Sequence, residues 1–191
     1  MMGKAFSRVA VLVLVAVGGA GIAIAAPAAA EEPAPEESTA KFEVDFLMDM
    51  IDHHAMAVEM AEICLVKAVH PELLETCEAI KTSQSQQIDQ MQSWLQEWYD
   101  MSHEPMMNPG QMRQMERLAS LSGAEFEVEF MQSMIKHHRQ AIREGEMCLR
   151  RGYHDELLDL CENIIAAQSA EIAKMEQWLC EWYDRCRGQA A

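Results

Sequence analysis

The chain has 191 residues and a formal net charge of −16; half of it is hydrophobic, 6% is aromatic and 16 residues are methionine. That length supports one domain with a real core. The scarcity of aromatic residues, and of Val and Thr beyond the N-terminus, argues for helices over sheets. A surface this acidic repels nucleic acid and anionic lipid and gathers cations, which excludes a nucleic-acid partner.

The N-terminus reads as a targeting segment. Lys4 and Arg8 precede an apolar run from Val9 to Ala26, and Ala28, Ala29 and Ala30 give a small-x-small cleavage pattern before Glu31. Residues 1–30 are therefore expected to be a signal peptide, cut after Ala30 because Pro27 disfavours an earlier cut. The apolar run is near the lower limit for a membrane span, so an uncleaved anchor is the alternative. Export implies a periplasmic or extracellular protein, free of the membrane after cleavage, whose charge becomes −18 once Lys4 and Arg8 leave. Residues 31–41, with Glu31, Glu32, Pro33, Pro35, Glu36 and Glu37, read as a disordered acidic linker.

From residue 42 the chain is a duplication. A shift of 84 residues superposes Phe42 on Phe126, Phe46 on Phe130, Met50 on Met134 and His53-His54 on His137-His138 without a gap. Cys64, His70, Cys77, Met91, Trp94, Trp98 and Tyr99 likewise match Cys148, His154, Cys161, Met175, Trp178, Trp182 and Tyr183. Within each copy the apolar residues recur at helical spacing on either side of a break. Pro71 suits the first position of a new helix, with His70 as its cap, and Gly152 suits the end of a helix. Pro105 to Gly110 breaks the chain between the copies. A short helix is expected over roughly 111–121, and Ser122 with Glu125 gives a capping-box pattern. A lone hairpin cannot bury its apolar stripe, so the two should pack together. The expected fold is all-α: a four-helix bundle over 42–186, with hairpins 42–101 and 125–186 and a Met-rich connector 102–124.

Six cysteines in an exported chain point to disulfides. Cys64 and Cys77 lie symmetrically about one turn, and Cys148 and Cys161 about the other, so each pair is expected to staple its own hairpin, contributing about 3 kcal/mol. Cys180 and Cys186 remain. Their spacing puts them on opposite sides of an intact helix, so their pairing requires the helix to end between them. If Cys64 faces Cys77, then Met50 faces Met91, His54 faces Gln87 and Ala57 faces Gln84. In the second copy Met134 faces Met175, His138 faces Glu171 and Ala141 faces Gln168.

The candidate site follows from that register: Met50, His53, His54 and Met91 in the first hairpin; Met134, His137, His138, Glu171 and Met175 in the second. Residues three and four apart share a helical face. Thioether with imidazole favours Cu(I), whereas imidazole with carboxylate also suits Cu(II) or Zn(II). The competing reading makes the His pairs structural, hydrogen-bonded to the facing Gln or Glu. Met101, Met106, Met107, Met112 and Met115 add thioethers, and His103 an imidazole, in and beside the connector, either to capture Cu(I) or to fill gaps over the end of the bundle. Gln84 and Gln168 sit on an apolar stripe and need partners, with the His pairs nearest. The Trp pairs read as end packing.

The string Phe46, Met50, Ile51, His53, His54, Ala57, Met60, Ala61 resembles the signature helix of the bacterial "domain of unknown function 305" family. Gln168, Glu171, Ile172, Met175, Trp178, Leu179 resembles its second motif. Met106, Met107, Pro109, Met112, Gly123 and Phe126 are similar to its connector. The resemblance spans about 42–184. It implies a secreted, ferritin-like protein that binds copper through Met and His, for storage, sequestration or resistance in the cell envelope. Asp52 and Lys136 stand where the family often has Pro, Glu144 is the counterpart of Met60, and Gln87 that of Glu171, so the two halves are expected to differ in affinity. No Glu-x-x-His, H-E-x-x-H or G-x-S-x-G motif occurs, and no enzyme is expected. The rival function is a metal-free interaction or stress protein of the envelope. The sequence leaves a homo-oligomer open, and it leaves open whether the two His pairs form one site.

Overall fold

The computed structural model describes residues 32–186; the expected signal segment 1–30, Glu31 and residues 187–191 lie outside that range. Five helices run in the order α1 (Glu37–Lys67), α2 (Pro71–Tyr99), α3 (Pro109–Ser120), α4 (Gly123–Arg151) and α5 (Asp155–Tyr183). No strand occurs among the described residues, and no helix there is long and apolar enough to cross a membrane. α1 pairs with α2 and α4 with α5; α1 also packs on α4, and α3 lies against both.

Each hairpin is closed by its own disulfide. Cys64–Cys77 joins α1 to α2 with Cα atoms 6.2 Å apart, and Cys148–Cys161 joins α4 to α5 at 6.4 Å. Cys180 bonds Cys186 just past the end of α5, where Asp184 (φ 54°) adopts the left-handed conformation and breaks the helix. Asp100 does the same after α2 (φ 50°). Asp is among the few side chains that tolerate that region.

Three local expectations change. Order begins earlier than the acidic linker allowed: α1 starts at Glu37, and Ala34 is buried. Gly152 follows α4 with an ordinary φ of −69°, so its reason is space: a Cβ there would lie 2.9 Å from Leu158 Cδ2 and 3.0 Å from the Cys148 carbonyl oxygen. Ser122 makes no side-chain cap to α4. The capping box belongs to α3, where the Asn108 side chain accepts from Gly110 and Gln111 amides and the Gln111 side chain accepts from the Asn108 amide.

Two buried carboxylates lock the hairpins together. Glu43, at the start of α1, accepts the backbone N–H groups of Tyr153 (2.6 Å) and His154 (3.1 Å), the His154 ring Nδ1–H (2.6 Å) and the Tyr99 hydroxyl. Glu127, its counterpart on α4, accepts the N–H groups of Val69 (2.6 Å) and His70 (3.0 Å), the His70 Nδ1–H (2.6 Å) and the Tyr183 hydroxyl. Both glutamates are 0% exposed. Trp98 stacks on His154 at 3.8 Å and Trp182 on His70 at 3.9 Å, so the tryptophans close these clasps. Each clasp ties the start of one hairpin to the turn of the other, which makes α1 and α4 antiparallel.

Burial pushes both glutamates up, but the tyrosine, backbone and histidine donors outweigh it and hold them below the ordinary carboxylate range. A depressed carboxyl stabilises the fold above the unfolded-chain value, and that contribution is lost as the pH falls through the folded one. Replacing Glu43 with Ala leaves buried donors without an acceptor. The expected cost is roughly 3 kcal/mol, read as a lower urea midpoint at pH 7, with Glu127→Ala costing about the same; a loss under 1 kcal/mol would show that the clasp does not hold the hairpins.

Candidate metal centre

Between the clasps the core divides in two. One apolar cluster joins the C-terminal half of α1 to the N-terminal half of α4, with Met56, Met60, Met131, Met134 and Met175 buried in it. The other joins the N-terminal half of α1 to the C-terminal half of α4 and contains Met50 and Met91. A polar layer separates them: His53 and His54 from α1, His137 and His138 from α4, Gln84 from α2 and Gln168 from α5, all buried. The spacing that puts Met50, His53, Met56, Ala57 and Met60 on the inner face of α1 is the same 3–4 residue period that puts Met131, Met134, His138 and Ala141 inside on α4.

The two His pairs meet in one layer. His53 and His137 stack with ring centroids 3.6 Å apart and 30° between planes, each flanked by its neighbour in sequence at 6.3 Å and 6.2 Å. The outer members are anchored across their own hairpins. His54 Nε2–H donates to Gln87 Oε1 at 2.8 Å, and His138 Nε2–H donates to Glu171 Oε2 at 2.6 Å. A neutral imidazole that donates from Nε2 carries its lone pair on Nδ1. Both of those Nδ1 atoms are buried and unpaired.

The layer concentrates unsatisfied polar atoms. Nδ1 and Nε2 of His53 and His137, Nδ1 of His54 and His138, Gln84 Oε1 and both polar atoms of Gln168 lack a hydrogen-bond partner; no other buried side-chain N or O atom among the described residues does. The His53 and His137 rings each lie near the other's backbone, without reaching hydrogen-bond geometry. Buried polar groups are ordinarily paired, because stranding one costs about 1–3 kcal/mol. Burial, with repulsion from neighbouring imidazoles, pushes His53 down to about 3; burial pushes His54 down to about 4, against its hydrogen bond to Gln87; His137 also lies well below its ordinary value, with burial the first cause. These rings are neutral at pH 7 and hold free lone pairs.

The donor set fits a soft cation: buried imidazoles, two of them oriented by an amide or carboxylate on the far nitrogen, between layers of buried thioethers. Among the described residues no group of three or more His, Cys, Asp or Glu side chains is arranged to hold a metal ion, and the stacked His53 and His137 rings face each other with their planes. The halves are unequal: Met60 is fully buried, whereas Glu144, at the matching position, is half-buried, its carboxyl raised by burial and by Asp49.

All nine residues expected at the site lie in this layer or beside it. Met50 and Met91 share one cluster, and Met134 and Met175 the other. Gln84 and Gln168 are buried here without bonding the histidines. The sequence carries one sign of Glu43 and Glu127, a Glu directly after a core Phe in both copies, which the charge pattern of so acidic a chain masks.

The chain is an all-helical protein with a buried layer of histidines between two methionine-containing apolar clusters. The chain matches the family described as Domain of unknown function (DUF305) over residues 43–179 and belongs to it. Solved structures of CopM are similar at 33% identity in its Cu(I)-bound and Ag-bound forms and 34% in its Cu(II)-bound form. They cover 74% of this chain and 97% of that one, with TM-scores of 0.67, 0.66 and 0.68. A Streptomyces coelicolor protein of the same family, described as secreted, is 27% identical, covers 73% of this chain and 91% of its own, and has a TM-score of 0.65. No curated protein matches.

The depressed histidines give a pH signature. Their folded values lie below the unfolded 6.5, so their contribution is whole above pH 6.5 and drains away as the pH falls towards 4. The metal-free protein should lose about 1 kcal/mol per buried ring per pH unit below 6.5 in urea unfolding; a flat profile from pH 7 to 5 would contradict neutral, buried rings.

Proposed function

We propose that this is an exported copper-binding protein that takes up Cu(I) in the core of a ferritin-like four-helix bundle and sequesters or stores it in the cell envelope. The observation that carries this reading is the concentration of orphaned imidazole and amide atoms in one buried layer between methionines. A fold that strands so many polar atoms in one plane has a cost that coordination by a cation would offset. His54 and His138 would offer Nδ1, held in the right tautomer by Gln87 and Glu171, with Met50, Met91, Met134 and Met175 supplying soft donors above and below. His53 and His137, unpaired on both nitrogens, would turn out of their stack to bind. CopM, whose Cu(I)-, Ag- and Cu(II)-bound forms share this architecture, supports the reading, and export draws support from the relative described as secreted. The protein acts as a carrier of its cargo and not as an enzyme.

The metal-free alternative draws on the hydrogen bonds of His54 to Gln87 and His138 to Glu171, which give each of those rings a structural role. Competition for Cu(I) against a chromogenic chelator separates the two. The wild type should retain Cu(I), and the variant His53→Ala, His54→Ala should bind on the order of 100-fold more weakly, with Glu171→Gln losing about tenfold. Equal, weak binding by wild type and variant would establish the metal-free reading.

A further inference from the structure

The connector between α2 and α3 is fastened at the height of the histidine layer. Asp52, the residue before His53, accepts two hydrogen bonds on one oxygen, from His103 Nε2 at 2.7 Å and from the Met106 backbone N–H at 2.8 Å. Gln92 of α2 donates its side-chain N–H to the His103 carbonyl at 2.8 Å. From that anchor the chain turns inward. Met107 is half-buried and packs against the apolar cluster that contains Met56, Met60 and Met115. Met106 and Met112, on either side of it, are 64% and 46% exposed. Thioethers therefore occur from solvent to within one helical turn of His53, since Met56 follows His53 by three residues. The opposite cluster, around Met50 and Met91, has Met48 as a partly buried thioether against it, and no methionine of the connector is among its members.

Resting on the copper reading above, we propose that Met106, Met107 and Met112 form a capture site for Cu(I), and that the ion reaches the histidine layer beneath α3 by exchange along the thioethers of this one cluster. Thioethers are neutral, soft donors. They take Cu(I) in preference to hard cations, do not compete with protons, and bind weakly enough singly to pass an ion on. The acidic protein concentrates cations at its surface without selecting among them; the methionines supply the selection. Copper stays monovalent throughout, so the transfer needs no electron. Asp52 and His103 position the capture segment and are not ligands in this scheme.

The test separates rate from affinity. Full-length mature protein is mixed under nitrogen with Cu(I) bound to bicinchoninate, and loss of the chelate colour is followed by stopped flow, with equilibrium competition measured on the same samples. The variant M106L/M107L/M112L, which conserves volume, should load at least about tenfold more slowly while its equilibrium Cu(I) affinity stays that of the wild type. The pair M106L/M112L changes only solvent-facing side chains and should slow loading in the same direction. M147L, an exposed methionine on α4 outside the route, should load like the wild type. Wild-type loading rates in the triple variant would overturn the capture route and leave the core site standing. Failure of the wild type to bind Cu(I) at equilibrium would overturn both.

Discussion

The register between the two hairpins rests on a pair of buried carboxylates, each met by donors on every side. Glu43 and Glu127 each take donors from the backbone, the histidine ring and a tyrosine hydroxyl, and the backbone donors belong to the turn of the opposite hairpin. An ionised carboxylate away from water is tolerable only when its lone pairs are met. These are met at one docking position alone. A slide of one helical turn along the α1–α4 contact would strand both glutamates together. The position that satisfies them also brings His53 against His137, so the geometry of the central layer is set from the two ends of the molecule.

The central layer runs against the logic of the ends. At the clasps every acceptor finds donors; at the middle, donors and acceptors are left over. The contrast sits inside one fold built from one repeated sequence, so it does not reflect a generally loose interior. Methionine surrounds the layer, where its flexible thioether fills the irregular space beside the imidazole rings better than a branched aliphatic side chain would. The same flexibility costs some packing specificity, which the two stapling disulfides offset by fixing the register within each hairpin.

Much of this was legible in the amino-acid sequence because the chain states it twice. Cysteines placed symmetrically about each turn fix the register within a hairpin, and the His54–Gln87 and His138–Glu171 contacts lie where that register puts them. The docking of one hairpin on the other was not legible. Its determinants, Glu43 and Glu127, look like any acid on the solvent face of a helix in a chain this acidic, and only their environment across 111 or 57 residues of sequence distinguishes them. The early start of α1 was hidden for a related reason: a Pro- and Glu-rich composition signals disorder, but Ala34 is buried and the Glu32 carbonyl accepts from His154 Nε2 of the second hairpin at 3.0 Å.

The mirrored clasps have an evolutionary reading. A contact in which the start of one half grips the turn of the other, and the reverse, is the signature of an isologous dimer interface, here contained in a single polypeptide. Two identical chains associating this way would be bound by symmetry to present matching halves. Fusion removes that obligation. Gln87 against Glu171 and Met60 against Glu144 are differences between the halves, and they give the interior a polarity along its axis that no pair of identical subunits could acquire.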